Sequence, residues 1–282
     1  MVKRLVIALA FSAYLPVLVS SAASAAATEW ASVHGGAVRL IAAGPLQDGT
    51  YKAGIEFSME PGWHTYWRFP GEAGIPPMID FSASENVQNS DVLFPAPKRY
   101  NDGFSSSIVY HDAVVLPVII TPDDAGDPID LSLSMFFGIC KDICVPGDAN
   151  LSLTLFPDGK ADALATTLID RDLELVPTSA GNSATNVLSL DAETSDKGHQ
   201  FLITAEVSET AEIDLFAEGP EGSYIALPVL LQRDGSQATW SLSSRGLAQS
   251  GKGSSLTFVL VDGDAAVETK FEVPPELLPA AD

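Results

Sequence analysis

Cysteine is scarce in this chain: its 282 residues include two, Cys140 and Cys144. A bond between cysteines this close would enclose a loop of only five residues. In the chain-entropy model such a loop adds about 2 kcal/mol of stability, against about 4.7 kcal/mol for a loop of 100 residues. The pair is therefore better explained as a reversible dithiol/disulfide switch than as a structural staple. A minor disulfide that clips a hairpin is the alternative interpretation.

Long hydrophobic runs are also scarce, because no apolar stretch of 18 residues follows the amino terminus. Lys3 and Arg4 precede an apolar run at residues 5–18, and small residues at 25–27 form an A-x-A cleavage site. This order is typical of a secretory signal peptide, here residues 1–27. An uncleaved anchor is the alternative, but the run is shorter than the roughly 20 residues that span a bilayer. We expect a soluble protein in the periplasm.

Basic residues are few, with 15 Lys and Arg against 37 Asp and Glu and a net charge of −22. Nucleic acid is therefore an improbable partner, because binding it requires a cationic surface. The same charge opposes adsorption to anionic membranes. A solvated acidic surface explains the composition, and it would also favour a basic partner protein.

The remaining chain is patterned mostly as β-strands. Apolar and polar residues alternate at 53–59, 131–135 and 151–155, and a continuous apolar run at 114–120 predicts a central strand. The strands at 131–135 and 151–155 flank the cysteines, which places the pair at or near the tip of a hairpin. Residues that face each other across an antiparallel pair are close enough for a disulfide.

The pattern changes after Pro157. Asp158 is expected to cap a helix over residues 160–173, and the small, polar residues 177–185 are expected to form a linker. Further strands are predicted at 201–207, 213–217, 224–231, 238–242, 256–261 and 266–273. The predicted fold is therefore all-β: two immunoglobulin-like antiparallel β-sandwich domains joined by a short helix and linker. The expected boundaries are 28–157 for the redox sandwich, 158–185 for the helix and linker, 186–275 for the second sandwich and 276–282 for a flexible tail.

The cysteines carry the strongest chemical signal. Lys141 lies between them and would favour a thiolate, whereas Asp142 would oppose one. Three intervening residues in a β context exclude the thioredoxin motif, which has two at the start of a helix. Two thiolates alone would suit Cu(I), but the four histidines are scattered without an H-x-x-x-H pattern. No cofactor and no metal site are expected. The sequence also has no pattern that orders a nucleophile, a base and an orienting group as in a cysteine hydrolase.

Several motifs in one order carry a resemblance to a known family. They are PGWHTYWR at 61–68, GEAGIPP at 71–77, FPAP at 94–97, VYHD at 109–112 with 114–117, and GICKDIC at 138–144. Residues 30–155 resemble the amino-terminal periplasmic domain of the thiol:disulfide interchange protein DsbD, and more closely its ScsB-type relatives (suppressor of copper sensitivity). The remainder is similar to the second immunoglobulin-like unit of the ScsB ectodomain, by position and strand pattern only.

The resemblance implies a sandwich whose dithiol relays electrons between periplasmic proteins, a protein-disulfide reductase activity that depends on partners. In the family a membrane-embedded segment reduces this domain, which then reduces periplasmic thioredoxin-like or other disulfide-containing acceptors. This sequence shows no such segment, so either a separate membrane-embedded thiol reductase is the donor, which we expect, or the redox circuit has been lost. By the same resemblance Cys144 is the attacking thiol, and Cys140 resolves the mixed disulfide.

The family also implies a cap loop that shields the disulfide. The matching residues are 100–104, with Asp102 as the acidic residue and Phe104 as the aromatic shield; ordinary core packing of Phe104 is the alternative. Tyr66 matches a tyrosine near the family's cysteines, and His64 stands where a tyrosine is usual. Both side chains would adjust the supply of protons to the cysteines. For His64 the alternative is a histidine without a redox role, either fully hydrogen-bonded or on the surface.

Two other functions fit the same residues. One is a non-enzymatic periplasmic binding module with a structural disulfide, and the other is a Cu(I)-handling protein. A structural disulfide should have a reduction potential below about −300 mV, whereas a relay disulfide should be less reducing.

Overall fold

The computed structural model describes residues 26–181, 185–195 and 198–278, and within them it is built of β-sheets with one α-helix. Four sheets form two sandwiches, each with its own hydrophobic core. The predicted all-β fold of two sandwiches is confirmed. The predicted signal peptide lies almost entirely outside the described residues.

Eleven strands build the first sandwich. They are β1 (Ala31–Val33), β2 (Gly36–Ala42), β3 (Tyr51–Met59), β4 (His64–Gly71), β5 (Met78–Asp80), β6 (Val87–Val92), β7 (Lys98–Asn101), β8 (Ser106–His111), β9 (Ala113–Pro122), β10 (Ile129–Cys140) and β11 (Cys144–Leu155).

Two antiparallel sheets face each other across the first core. One has the order β1-β2-β3-β9-β6, and the other has the order β11-β10-β4-β8-β7 with β5 paired to β10. The odd-numbered residues of β10 from Ile129 to Phe137 are buried, whereas the even-numbered residues from Asp130 to Phe136 are more exposed. This period of two directs the odd positions into the core. From Phe137 to Cys140 every residue is buried, so the outer face of the sheet is covered there as well.

The hairpin of β10 and β11 carries the cysteines as the sequence predicted. Its register runs without interruption through twelve pairs, from Ile129 opposite Leu155 to Cys140 opposite Cys144. Cys140 is the last residue of β10, and Cys144 is the first residue of β11. The alternation of the flanking strands therefore sets the two cysteines side by side at the hairpin end.

Helix α1 spans Ala163–Leu173, and its N-cap is Asp162 rather than the predicted Asp158. The Asp162 carboxylate accepts a hydrogen bond from Ala165 N at 2.8 Å, which satisfies an otherwise free amide of the first turn. The helix packs through Ala165 and Ile169 onto the first sandwich. The segment predicted to join the two domains therefore begins as part of the first one.

The second sandwich has eight strands. They are β12 (Thr178–Ser179), β13 (Asn186–Ser195), β14 (Gly198–Glu206), β15 (Ile213–Glu218), β16 (Val229–Asp234), β17 (Gln237–Ser243), β18 (Ser254–Asp262) and β19 (Ala265–Val273). The sheet orders are β12-β19-β18-β15 and β13-β14-β17-β16. The short β12, within the predicted linker, pairs in parallel with β19.

Two predicted features of this half are corrected. The strand predicted at 224–231 begins only at Val229, and the Tyr224 hydroxyl before it donates a hydrogen bond to the Glu72 carbonyl of the first sandwich. The described part of the predicted flexible tail contains a short 3-10 helix, Pro275–Leu277, and buries Leu278 in the second core.

Charged and apolar contacts join the two sandwiches. Arg68 on β4 donates to Glu218 at 2.7 Å and to Glu268 at 2.6 Å. Arg99 on β7 donates twice to Asp214, at 3.0 and 2.7 Å. The strands that reach across to the second sandwich, β4 and β7, are thus also strands of the sheet that holds the cysteines.

No helix of the described ranges, 26–181, 185–195 and 198–278, is long and apolar enough to cross a membrane.

Candidate functional site: a disulfide at the end of a four-strand row

Four chemically active side chains stand in one row across the second sheet of the first sandwich. Cys144 on β11 lies opposite Cys140 on β10, Cys140 lies opposite His64 on β4, and His64 lies opposite His111 on β8. Residues directly opposite in antiparallel strands project from the same face of a sheet. The row therefore aligns the two cysteines and the two histidines on the outer face, away from the core.

The disulfide is unequally exposed. Cys140 and Cys144 are bonded, with their Cα atoms 4.1 Å apart. Cys140 is only 2% exposed and packs with Tyr66 and Val109, whereas Cys144 is exposed. Another molecule can therefore approach the Cys144 sulfur and not the Cys140 sulfur.

Tyr66 lies against the exposed sulfur. Its hydroxyl is 3.2 Å from Cys144 Sγ, and because a disulfide sulfur carries no hydrogen, the hydroxyl is the donor. Burial raises the pKa of Tyr66 to about 12, and the charge of Asp102 and then Tyr100 add to the effect. Tyr66 therefore keeps its proton at neutral pH and can donate to a thiolate at Cys144.

His64 is enclosed by aromatic rings. Its ring centroid is 4.6 Å from that of Tyr100, 5.4 Å from that of Tyr66 and 5.7 Å from that of His111. Burial lowers the pKa of His64 to about 4; His111 lowers it further, and Asp102 opposes the shift. His64 is therefore neutral at pH 7 beside the disulfide, and it is neither a surface histidine nor one with all its hydrogen bonds made.

The cap loop is arranged differently from the expectation. Phe104 is 99% exposed, so in this structure it neither shields the disulfide nor packs in the core. Asp102 accepts hydrogen bonds from the backbone amides of Phe104 and Ser105, both at 2.7 Å, and this tight turn directs the Phe104 side chain to solvent. Tyr100 is the aromatic residue of this segment that packs against the cluster of Tyr66, Val109 and Cys140.

A second segment covers the site from the other side. Gly74, at φ +135°, lies so close to the Tyr66 ring that a Cβ there would be 2.2 Å from a ring carbon. Ile75 lies close to Gly138 on β10, where a Cβ would be 2.7 Å from the Ile75 side chain. Only glycine allows the chain to lie this close over Tyr66 at this backbone angle.

The first sandwich is similar to a known protein family. Residues 37–155 match the family model of thiol:disulfide interchange protein DsbD, N-terminal. The resemblance read from the sequence motifs is thereby confirmed for this segment. A search of curated proteins found no match.

The fold of the two sandwiches also occurs in a solved structure. The N-terminal periplasmic domain of ScsB from Proteus mirabilis aligns with a TM-score of 0.70 at 22% sequence identity. The alignment covers 88% of this chain and 98% of that one. At this identity the likeness establishes the fold, and its extent requires that both sandwiches are shared.

Around the disulfide, sequence reasoning missed Tyr100, His111 and Gly74. Tyr100 and His111 lie within motifs already noted, but their approach to His64 depends on the pairing of β4, β7 and β8. The GEAGIPP motif at 71–77 was the available signal for Gly74. Lys141, expected to favour a thiolate, directs its amine to the Pro61 carbonyl at 3.3 Å.

Metal-ligand clusters were sought among residues 26–181, 185–195 and 198–278. Over these ranges no group of three or more His, Cys, Asp or Glu side chains is arranged to hold a metal ion.

Proposed function

We propose that this protein exchanges thiols and disulfides with periplasmic partner proteins through Cys140 and Cys144. The observation that carries the proposal is the unequal exposure of the pair within the segment that matches the DsbD family: Cys144 is exposed and Cys140 is buried. A relay needs one sulfur to meet partners and a protected one to release them.

The proposed reaction has two steps. The Cys144 thiolate attacks a partner's disulfide, which forms a Cys144–partner disulfide and releases the partner's other sulfur as a thiolate. Cys140 then loses its proton and attacks Cys144 Sγ, which forms the intramolecular disulfide and releases the partner's second sulfur. The partner gains two electrons, and the dithiol loses them. Tyr66 supports the first step by donating its hydroxyl hydrogen to the Cys144 thiolate.

The hairpin supports reversibility. The disulfide joins only the last of twelve registered pairs, and the strands bury their inward residues in a core made by two sheets. Breaking the bond therefore removes one link at the end of the hairpin and leaves the remaining backbone pairs in place. The same fold can hold both the disulfide and the dithiol.

The proposal includes the direction of electron flow. A membrane-embedded thiol reductase is the proposed donor, and thioredoxin-like or other disulfide-containing proteins of the periplasm are the proposed acceptors. The activity is that of a protein-disulfide reductase that works only with these partners. An oxidising compartment would otherwise hold the pair as a disulfide, so a continuous supply of electrons is required.

Single-cysteine variants test this proposal. Cys140→Ser leaves the exposed Cys144 thiol without its resolving partner, so a mixed disulfide with a partner should accumulate in periplasmic extract. Cys144→Ser is the matched control, because its remaining thiol is buried, and it should trap little. Alkylation in cells should also show a partly reduced wild-type pair that becomes oxidised when the donor reductase is deleted. Equal trapping by both variants, or a pair oxidised under all growth conditions, would favour the binding module with a structural disulfide.

A further inference from the structure

One buried polar atom beside the disulfide is left without a partner. His64 is 3% exposed, and its Nδ1 makes no hydrogen bond with any residue of the described ranges. A buried polar atom without a partner has given up its hydrogen bonds to water and gained none in the fold, which destabilises the folded protein. The atom belongs to the side chain directly opposite Cys140 in the sheet.

Resting on the thiol–disulfide exchange proposed above, we propose that His64 is the proton acceptor for Cys140. The register places the imidazole and the Cys140 side chain on one face of neighbouring strands. Cys140 is 2% exposed, so its thiol has no open path for passing a proton to water. The imidazole is the basic group that the sheet sets beside it.

The proton transfer belongs to the second half of the exchange. The Cys140 thiol gives its proton to His64, and the sulfur forms a bond to Cys144 Sγ while the bond between Cys144 and the partner breaks. The partner leaves as a thiolate with the electron pair of the broken bond. His64 then passes its proton outward past His111, a half-buried ring 5.7 Å away, to solvent.

The surroundings make this acceptor responsive to the redox state. The groups that face His64 are Cys140 from β10, His111 from β8, Tyr100 from β7 and Tyr66 from its own strand, with Asp102 acting from the cap loop. Beside the disulfide no thiolate is present, and the pKa of His64 is about 4. A thiolate at Cys140 adds a negative charge directly opposite the ring, which favours the imidazolium. The thiolate and the imidazolium therefore form and disappear together, as a coupled pair.

Nuclear magnetic resonance of the four histidine rings tests the inference on the whole protein. The pKa of His64 should rise by more than about one unit when a small-molecule reductant opens the disulfide. His34 and His199 belong to other sheets than the cysteines and serve as internal controls. In reduced Cys140→Ser the rise should disappear. An identical His64 titration in oxidised and reduced wild-type protein would overturn the inference.

A second measurement approaches the pair from the thiol. In the Cys144→Ser background, His64→Gln should raise the pKa of the Cys140 thiol by about one unit, read from thiolate absorbance against pH. His199→Gln is the matched control, because His199 is exposed in the second sandwich. If His64→Gln fails to fold, the wild-type titration decides alone. If the pKa of His64 shifts with the redox state but no partner is trapped, the proposed function is refuted and this inference stands. If partners are trapped but the pKa of His64 does not respond, the inference is refuted and the proposed function stands.

Discussion

Tyr66 is the residue whose polar atom contacts the exposed sulfur, at 3.2 Å from Cys144 Sγ. A hydrogen bond to a charged group contributes about 1.5–3 kcal/mol, and one pKa unit corresponds to about 1.4 kcal/mol. We expect Tyr66→Phe to raise the pKa of the Cys144 thiol by about one unit. The pH dependence of alkylation in the Cys140→Ser background measures it.

Tyr110→Phe is the matched control for that substitution. Tyr110 is buried in the core and donates its hydroxyl hydrogen to the Pro95 carbonyl at 2.7 Å. Its loss should lower the stability of the fold without moving the thiol pKa. A shift of equal size in both variants would show that Tyr66 acts through packing alone.

His64 also makes the stability of the oxidised protein depend on pH. Its pKa is about 4 in the fold, against an ordinary histidine pKa of 6.5 in the unfolded chain. Above pH 6.5 the ring is neutral in both states and has no effect. As pH falls from 6.5 to 4, the unfolded chain binds a proton that the folded one refuses, which lowers the free energy of unfolding by up to about 3 kcal/mol.

Urea unfolding of the oxidised protein at pH 7 and pH 4.5 measures this contribution. His64→Gln should lose about 2 kcal/mol less than wild type between the two values. The comparison of differences removes any change that the substitution makes at neutral pH. An equal loss in both proteins would mean that His64 becomes protonated within the fold.

At the scale of elements, β7 covers the buried cysteine, whereas the turn after β7 is exposed to solvent. Tyr100 on β7 packs over the cluster that contains Cys140, while Phe104 in the turn is exposed. We expect Tyr100→Ala to increase alkylation of Cys140 relative to Cys144 in the reduced protein, because it opens the cover. Phe104→Ala should leave the ratio unchanged. Mass spectrometry of the alkylated peptides gives the ratio, and the opposite result would restore Phe104 as the shield.

The elements differ in how far the sequence predicted them. The alternation of apolar and polar residues predicted β3, β10 and β11, and with them the position of the cysteines. This was possible because a period of two can be read from neighbouring residues alone. The exchange of roles between Phe104 and Tyr100 was not predictable in this way. It depends on the Asp102 turn, on the pairing of Tyr100 with Ser107 in the next strand, and on the pairing of β8 with the distant strand β4.

The starts of helix α1 and strand β16 were also not predictable from the sequence pattern. Asp158 and Asp162 are equally good capping residues in the sequence, and tertiary packing selects the second: the Asp162 amide bonds to the Ala43 carbonyl at 2.9 Å. The residues before Val229 have a strand-like composition, but Tyr224 is engaged by the Glu72 carbonyl across the boundary between the sandwiches. Contacts between units decide such ends, and a single-sequence pattern does not contain them.

At the scale of the whole molecule, the second sandwich holds the strands that carry the site. Arg68 follows Tyr66 by two residues on β4, and Arg99 precedes Tyr100 on β7. Both guanidinium groups end on carboxylates of the second sandwich. The second sandwich therefore fixes the ends of the two strands whose aromatic residues enclose His64.

Asp214→Asn tests this coupling. It weakens the two hydrogen bonds to Arg99, a partly exposed pair, and should lower the free energy of unfolding by about 1 kcal/mol. It should also increase alkylation of Cys140, as Tyr100→Ala does. Glu272→Gln is the control, because the Lys270–Glu272 pair is largely exposed and should matter little. Lower stability without altered alkylation would restrict the second sandwich to a structural role.

The single exposed sulfur has a consequence for kinetics. In the proposed exchange, donor and acceptor both form their mixed disulfide with Cys144, so each must leave that sulfur before the other can bond to it. Steady-state rates should therefore follow a ping-pong pattern, with parallel double-reciprocal lines as the concentration of either partner is varied. Oxidised acceptor and reduced donor compete for the same sulfur when either is in excess. The slower of the two half-reactions limits the turnover rate.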